Sequence, residues 1–204
     1  MKINIGIDEV GRGSFAGPVY VCAFATSLSP KKLRLLFPHH KLKDSKKLTK
    51  TGREDIFEKL KRLREDNKVT WAIGKRQASY IDIHGLTKSI TMSIIQVLNT
   101  LQKQLQYKES AIYVSLDGGL SAPTLYTKKQ TIVKGDETMP VIACASIVAK
   151  VLRDNYMKDL SKKYINYEFA KNVGYGTAKH RTNIQKYGIT IEHRKSFLKK
   201  IKTL

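Results

Sequence analysis

Long apolar runs, cysteines in metal-binding array and acidic charge are what this chain lacks. Its best apolar stretch, Val141 to Ala149, carries Ser146 and falls well short of the roughly 18 residues a membrane span requires. Asp8 and Glu9 occupy the place where a signal peptide would be apolar, which excludes one and leaves a cytoplasmic location as the expectation. The two cysteines, Cys22 and Cys144, sit in Val-Cys-Ala and Ala-Cys-Ala contexts and read as buried free thiols. None of the five histidines (His39, His40, His84, His180, His193) stands at finger-like spacing from a cysteine, so zinc is not expected.

Acidic residues number 17 against 38 basic ones in 204 residues, a formal charge of +21. At 41% hydrophobic the chain can still bury a core, so it is no disordered basic tail. The positive excess runs through both halves, with dense stretches from Lys31 to Arg64 and from Arg194 to Lys202. A single lysine usually does no more than solvate a surface. A total this large opposes compaction unless the usual partner is a polyanion, and nucleic acid fits better than a membrane because no segment pairs a basic face with an aromatic-rich apolar one.

Ile3, Ile5 and Ile7 alternate through a strand, and Pro18 to Ala25 forms another, with a glycine-rich turn from Gly11 to Gly17 between them. Thr51 and Glu54 have capping-box spacing ahead of Ile56, Phe57, Leu60 and Leu63, which predicts a helix to about Asn67. A strand is expected from Val69 to Gly74. A long helical stretch from Ser79 to Gln106 is interrupted near His84-Gly85, and short strands are expected at Ala111–Leu116 and Gln130–Val133. Pro140 opens a helix to about Lys163, and the tail from Thr177 is helical and basic. This order predicts an α/β domain with a mixed sheet flanked by helices, one domain over residues 1–204 with a core at 1–170 and a basic helical extension at 171–204. No dedicated apolar interface is evident, so a monomer is expected.

In so basic a chain the carboxylates need explaining. Asp8 and Glu9 follow an apolar strand and precede Gly11-Arg12-Gly13, and neighbouring strand residues face opposite ways, so both reach one site only if the strand ends or bends there. Asp117 ends another apolar strand at Gly118-Gly119, the kind of strand end where open α/β sheets bind ligands. Asp154 lies within a helix, where an aspartate more often makes a surface ion pair. Converging carboxylates repel one another unless a cation intervenes, and oxygen ligands without Cys or His point to Mg²⁺ or Mn²⁺. A carboxylate cluster on a cationic surface suits two-metal phosphodiester hydrolysis.

Gly6-Ile7-Asp8-Glu9-Val10-Gly11-Arg12-Gly13, followed by Ala16-Gly17-Pro18-Val19, resembles the opening motif of the type 2 ribonucleases H, and within them bacterial ribonuclease HII. The similarity continues in family order through Asp44-Ser45-Lys46-Lys47-Leu48, Leu116-Asp117-Gly118, Lys134-Gly135-Asp136, Ala145 to Asp154, Gly174-Tyr175-Gly176-Thr177 with His180, and His193-Arg194 with Ser196-Phe197. With five residues ahead of Gly6, the type it resembles is HII and not HIII, which has a further N-terminal domain.

The resemblance implies a ribonuclease H-like fold. It implies that Asp8, Glu9, Asp117 and Asp154 are the catalytic, metal-holding carboxylates, and that Gly11, Arg12, Gly13 and Tyr175 read the 2′-hydroxyl at an RNA-DNA junction. The expected substrates are RNA-DNA hybrids and duplex DNA with embedded ribonucleotides, cut to 3′-hydroxyl and 5′-phosphate ends. Lys46, Lys47 and Ser146 are expected phosphate contacts, Thr177 is either another or a helix cap, and His180 is a structural hydrogen-bonding residue. Ser14-Phe15 and Cys144 depart from the usual family residues without removing a carboxylate. A non-catalytic binding module and a junction-resolving nuclease remain the rival classes.

Overall fold

The computed structural model describes residues 2–37, 42, 48–106 and 108–199. Strands β1 (Ile3–Val10), β2 (Val19–Thr26), β3 (Val69–Arg76), β4 (Ile112–Asp117) and β5 (Lys129–Ile132) form one sheet in the order β3-β2-β1-β4-β5. β2 runs antiparallel to β1 and β3, while β1-β4 and β4-β5 are parallel. The sheet is mixed, as expected.

Alternation decides the two faces. Ile3, Ile5 and Ile7 pack with Val19, Val21 and Ala23 of β2 against α3 (Ala78–His84) and α4 (Leu86–Leu105), through Ile81, Ile90, Ile94 and Leu98. Cys22, Phe24 and Trp71 point the other way, onto α1 (Pro30–Leu35), α2 (Lys50–Glu65) and α6 (Pro140–Lys163). Gly6 lies on that second face. A Cβ there would stand 2.2 Å from the backbone carbon and oxygen of Val141, so this glycine lets α6 approach β1 directly.

The interruption expected near His84-Gly85 is the boundary between α3 and α4, with Gly85 at φ 78°. Pro140 starts α6 in its first turn, and both cysteines are free and buried. The cap of α2 differs from the expectation. Thr49, with extended backbone, accepts the Gly52 N–H at 3.1 Å, whereas Thr51 already lies inside the helix. Thr51-Glu54 has the right spacing, but only a residue outside the helical turn can aim its hydroxyl back at the free amides. The helix ends at Glu65, and Asn67 turns the chain at φ 56°.

After α6, helices α7 (Phe169–Asn172), α8 (Ala178–Tyr187) and α9 (Lys195–Leu198) fold back onto its end. Met157, Leu160, Phe169, Ile184 and Leu198 form a third apolar cluster that includes Ala16 of the glycine-rich turn. No helix among the described residues is long and apolar enough to cross a membrane.

Candidate active site

Asp8, Glu9, Asp117, Ser146, Arg12, Gly11 and Tyr175 line one pocket of about 380 Å³ at the ends of β1 and β4. Asp8 pairs with Cys22 across the sheet and so lies on the α6 face, where the Ser146 hydroxyl of α6 bonds its carboxylate. Glu9 lies on the opposite face. The two reach one pocket because β1 pairs only as far as Val10 and then turns at Gly11, whose φ of 85° suits glycine alone. Asp8 Oδ1 also accepts the Glu9 N–H at 2.8 Å.

Asp117 ends β4, next to β1 in the sheet, and its Oδ1 accepts the Gly135 N–H at 2.6 Å and the Asp136 N–H at 3.4 Å. These amides open α5 (Gly135–Thr138) and fix the carboxylate at the pocket. Burial pushes the Asp8 carboxyl up to about 7; the Ser146 bond opposes the shift, and the charges of Glu9 and Asp117 add to it. Burial also raises Glu9, against the 3.1 Å bond from Arg12 Nη1. Among the described residues no three His, Cys, Asp or Glu side chains stand close enough to form a metal-holding group. The three pocket carboxylates share a field without yet meeting at a point.

Asp154 is not one of the residues lining the pocket. It lies one turn along α6 from Lys150, which does line it, and its Oδ1 pairs with Lys150 Nζ at 2.9 Å. Gly13 is beside Tyr175, where an added Cβ would stand 3.9 Å from the ring, and Ser14 forms a β-bridge with Tyr175. The glycine-rich turn and Tyr175 are thus one structure. Thr177 caps α8 by accepting the His180 N–H at 3.3 Å. Lys46 and Lys47 lie outside the described residues.

Four arginines and lysines here escaped the sequence reading. Arg53 of α2 and Lys150 of α6 line the pocket and give it positive walls. Arg153 and Arg194 are wholly buried. Arg153 donates to the carbonyls of Pro18, Val173 and Ala16 and to Ser14 Oγ, and Arg194 donates to the carbonyls of Gly17 and Arg12. Together they hold the turn that carries Gly11 and Arg12. Lys150 and Arg153 lie inside the matched stretch Ala145 to Asp154, and Arg194 inside His193-Arg194, but nothing in the one-dimensional pattern separates a pocket-lining or core cation from the many surface ones.

A family model for ribonuclease HII matches residues 5–200. The ribonuclease HII of Prochlorococcus marinus (strain MIT 9312) is 43% identical over 195 residues, covering 96% of this chain and 89% of that protein. The fold is similar to one in the structure of the PCNA:RNase HII complex from Archaeoglobus fulgidus, with a TM-score of 0.72, 24% identity and coverage of 94% of this chain and 93% of that one. It is also similar to Bst-RNase HIII in complex with Mn²⁺, with a TM-score of 0.65 and 18% identity over 96% of this chain and 64% of that one. The carboxylates at the ends of β1 and β4 and the turn beside them fall within a match that spans nearly every residue: the chain belongs to the ribonuclease HII family, metal-dependent endonucleases that cleave RNA in RNA-DNA hybrids and at embedded ribonucleotides.

Proposed function

We propose that Asp8, Glu9, Asp117 and Asp154 hold Mg²⁺ or Mn²⁺, and that Gly11, Arg12, Gly13 and Tyr175 recognise the ribonucleotide 2′-hydroxyl. The enzyme then cuts the RNA strand of RNA-DNA hybrids and nicks duplex DNA 5′ of an embedded ribonucleotide, leaving 3′-hydroxyl and 5′-phosphate ends. The observation that carries this reading is that three carboxylates share one pocket with Gly11, Arg12 and Tyr175. Chemistry and sugar recognition therefore act on the same nucleotide.

The donor set suits a hard divalent cation: all oxygen, with mutual repulsion among Asp8, Glu9 and Asp117 that a positive ion removes. When bound, such a metal supplies an activated water and stabilises charge on the leaving oxygen. The chain's own residues position everything else. Ser146 orients Asp8, the Gly135 amide orients Asp117, and Arg53 and Lys150 attract the phosphate backbone. For Asp154 to serve as the fourth ligand, Lys150 exchanges its carboxylate partner for a phosphate when substrate arrives. The turn at Gly11 offers backbone groups to the 2′-hydroxyl, which both donates and accepts and so separates RNA from DNA.

The test compares a duplex containing one ribonucleotide with an all-DNA duplex, each with Mg²⁺ and with Mn²⁺. Only the first is nicked, and Asp8→Asn and Asp117→Asn abolish the nicking. Equal cleavage of both duplexes would instead identify a nuclease blind to the ribose.

A further inference from the structure

His180 of α8 and His193, in the segment before α9, are fully buried and meet Nε2 to Nε2 at 3.2 Å. The other nitrogen of each ring touches backbone. His180 Nδ1 lies 2.8 Å from the Tyr175 carbonyl oxygen, and His193 Nδ1 lies 2.9 Å from the Thr190 amide nitrogen. A carbonyl only accepts and an amide N–H only donates, so His180 carries a proton on Nδ1 while His193 has a lone pair there. In neutral rings this leaves a lone pair on His180 Nε2 and a proton on His193 Nε2. One proton then lies between the rings, as their contact requires.

The hydrogen bonds thus run in one direction: Thr190 N–H to His193, His193 to His180, His180 to the Tyr175 carbonyl. The Thr190 hydroxyl, 3.0 Å from the same His193 nitrogen, accepts the Glu192 N–H and is free to donate to the ring as well. A further proton on either ring would set two N–H groups head to head. Burial lowers both histidines, His193 to about 4, with the adjacent ring adding to the effect on His193.

The rings packed around the pair are Phe15 of the glycine-rich turn, and Tyr167 and Phe169 from the segment after α6. Of the charged neighbours in sequence, Lys179 is exposed, Arg181 bonds the Gly176 carbonyl, Arg194 bonds Gly17 and Arg12, and Glu192 faces Lys75 and Tyr156. His193 also forms a β-bridge with Ala16, while Tyr175 bridges Ser14. The pair therefore ties both walls of the sugar-reading region together.

We propose that His180 and His193 form a directed relay, intact only while both rings are neutral, that fixes the Tyr175 backbone and through it the ring at the pocket. They are positioning residues for ribonucleotide recognition, a role that rests on the reading of Tyr175 given above. The test uses the full-length enzyme. Nitrogen-15 NMR of the histidine rings should find the Nδ1–H tautomer at His180 and the Nε2–H tautomer at His193, with neither ring titrating near the ordinary value of about 6.5. The same tautomer on both rings, or an ordinary titration of either, overturns the relay.

His180→Phe should raise KM for a single-ribonucleotide duplex roughly tenfold with a smaller effect on kcat. His180→Asn, whose side-chain amide keeps a donor for the Tyr175 carbonyl, should recover most of that loss. An unchanged KM in His180→Phe, or no recovery in His180→Asn, overturns the positioning role. Tyr175→Ala separates the two readings. If it keeps full ribonucleotide selectivity, the Tyr175 reading fails and takes the positioning role with it. If it loses selectivity while His180→Phe matches wild type, the relay alone fails. Should His180→Phe not fold, the tautomers of the wild-type protein decide.

Discussion

Arg153 Nη2 donates to Ser14 Oγ at 2.9 Å, joining residues 139 apart in sequence. The next residue along α6 is Asp154, and Ser14 lies in the turn that begins at Gly11. One buried guanidinium thus links the helix that carries Asp154, the proposed fourth metal ligand, to the turn proposed to recognise the sugar. Arg153→Met leaves the acceptors on Pro18, Val173, Ala16 and Ser14 without their donor, and the expected loss is on the order of 3 kcal/mol in urea unfolding. Arg153→Lys recovers less than half, because one ammonium cannot reproduce the planar fork.

Asp8→Asn and Asp117→Asn are each expected to lower metal-dependent cleavage of a single-ribonucleotide duplex by about a thousandfold or more. Single-turnover rates at saturating Mn²⁺ check this. A fall in affinity for substrate with the rate intact would count against metal ligation.

The pH dependence of metal-free stability follows from Asp8, whose carboxyl is raised to about 7 in the fold. Between its unfolded value near 3.8 and about 7 the native state holds the extra proton, so stability falls as pH rises through this window. Asp8→Asn cannot ionise. At pH 8 without metal it is expected to be more stable than wild type, on the order of 4 kcal/mol at most, with the advantage vanishing toward pH 4. Thermal melts across that range, in chelator, measure it.

Gly6→Ala sets a Cβ against the Val141 backbone, which cannot swing aside as a side-chain end would. Separation of β1 from α6 is expected to cost about 3 kcal/mol. Cleavage should fall as well, since Ser146 on α6 bonds Asp8 on β1. Denaturant melts and steady-state kinetics on one preparation report both effects.

Arg53→Ala removes a pocket cation whose guanidinium donates to the Leu48 carbonyl. It should weaken binding of ribonucleotide-containing and all-DNA duplexes by similar factors and make the log affinity against log salt slope shallower by about 1. A loss confined to the ribonucleotide duplex would give Arg53 a role in sugar recognition instead.

Much of the frame was legible along the chain because it rests on local rules. The isoleucines at 3, 5 and 7 alternate onto one face, and Pro140 marks a helix start. The helix cap was misplaced by two residues, since Thr49 and Thr51 look alike until the backbone turn decides which hydroxyl faces the amides. Arg53, Lys150, Arg153 and Arg194 were lost among 38 cations, because burial and pocket-lining are properties of packing and not of residue type. His180 and His193 each fall in a matched motif, but that the two rings meet, 13 residues apart, is written in no local pattern.

By itself the sequence determined the family and the layered α/β class and singled out four carboxylates as candidates, because motif order and hydrophobic alternation survive projection onto one dimension. Tertiary structure decided which of those carboxylates share a pocket: β1 and β4 are separated by about half the chain yet pair side by side, bringing Asp8, Glu9 and Asp117 together while Asp154 stays paired to Lys150. It also decided which cations line the pocket and which cations and histidines are buried. Desolvation and hydrogen-bond direction exist only once the chain has closed around them.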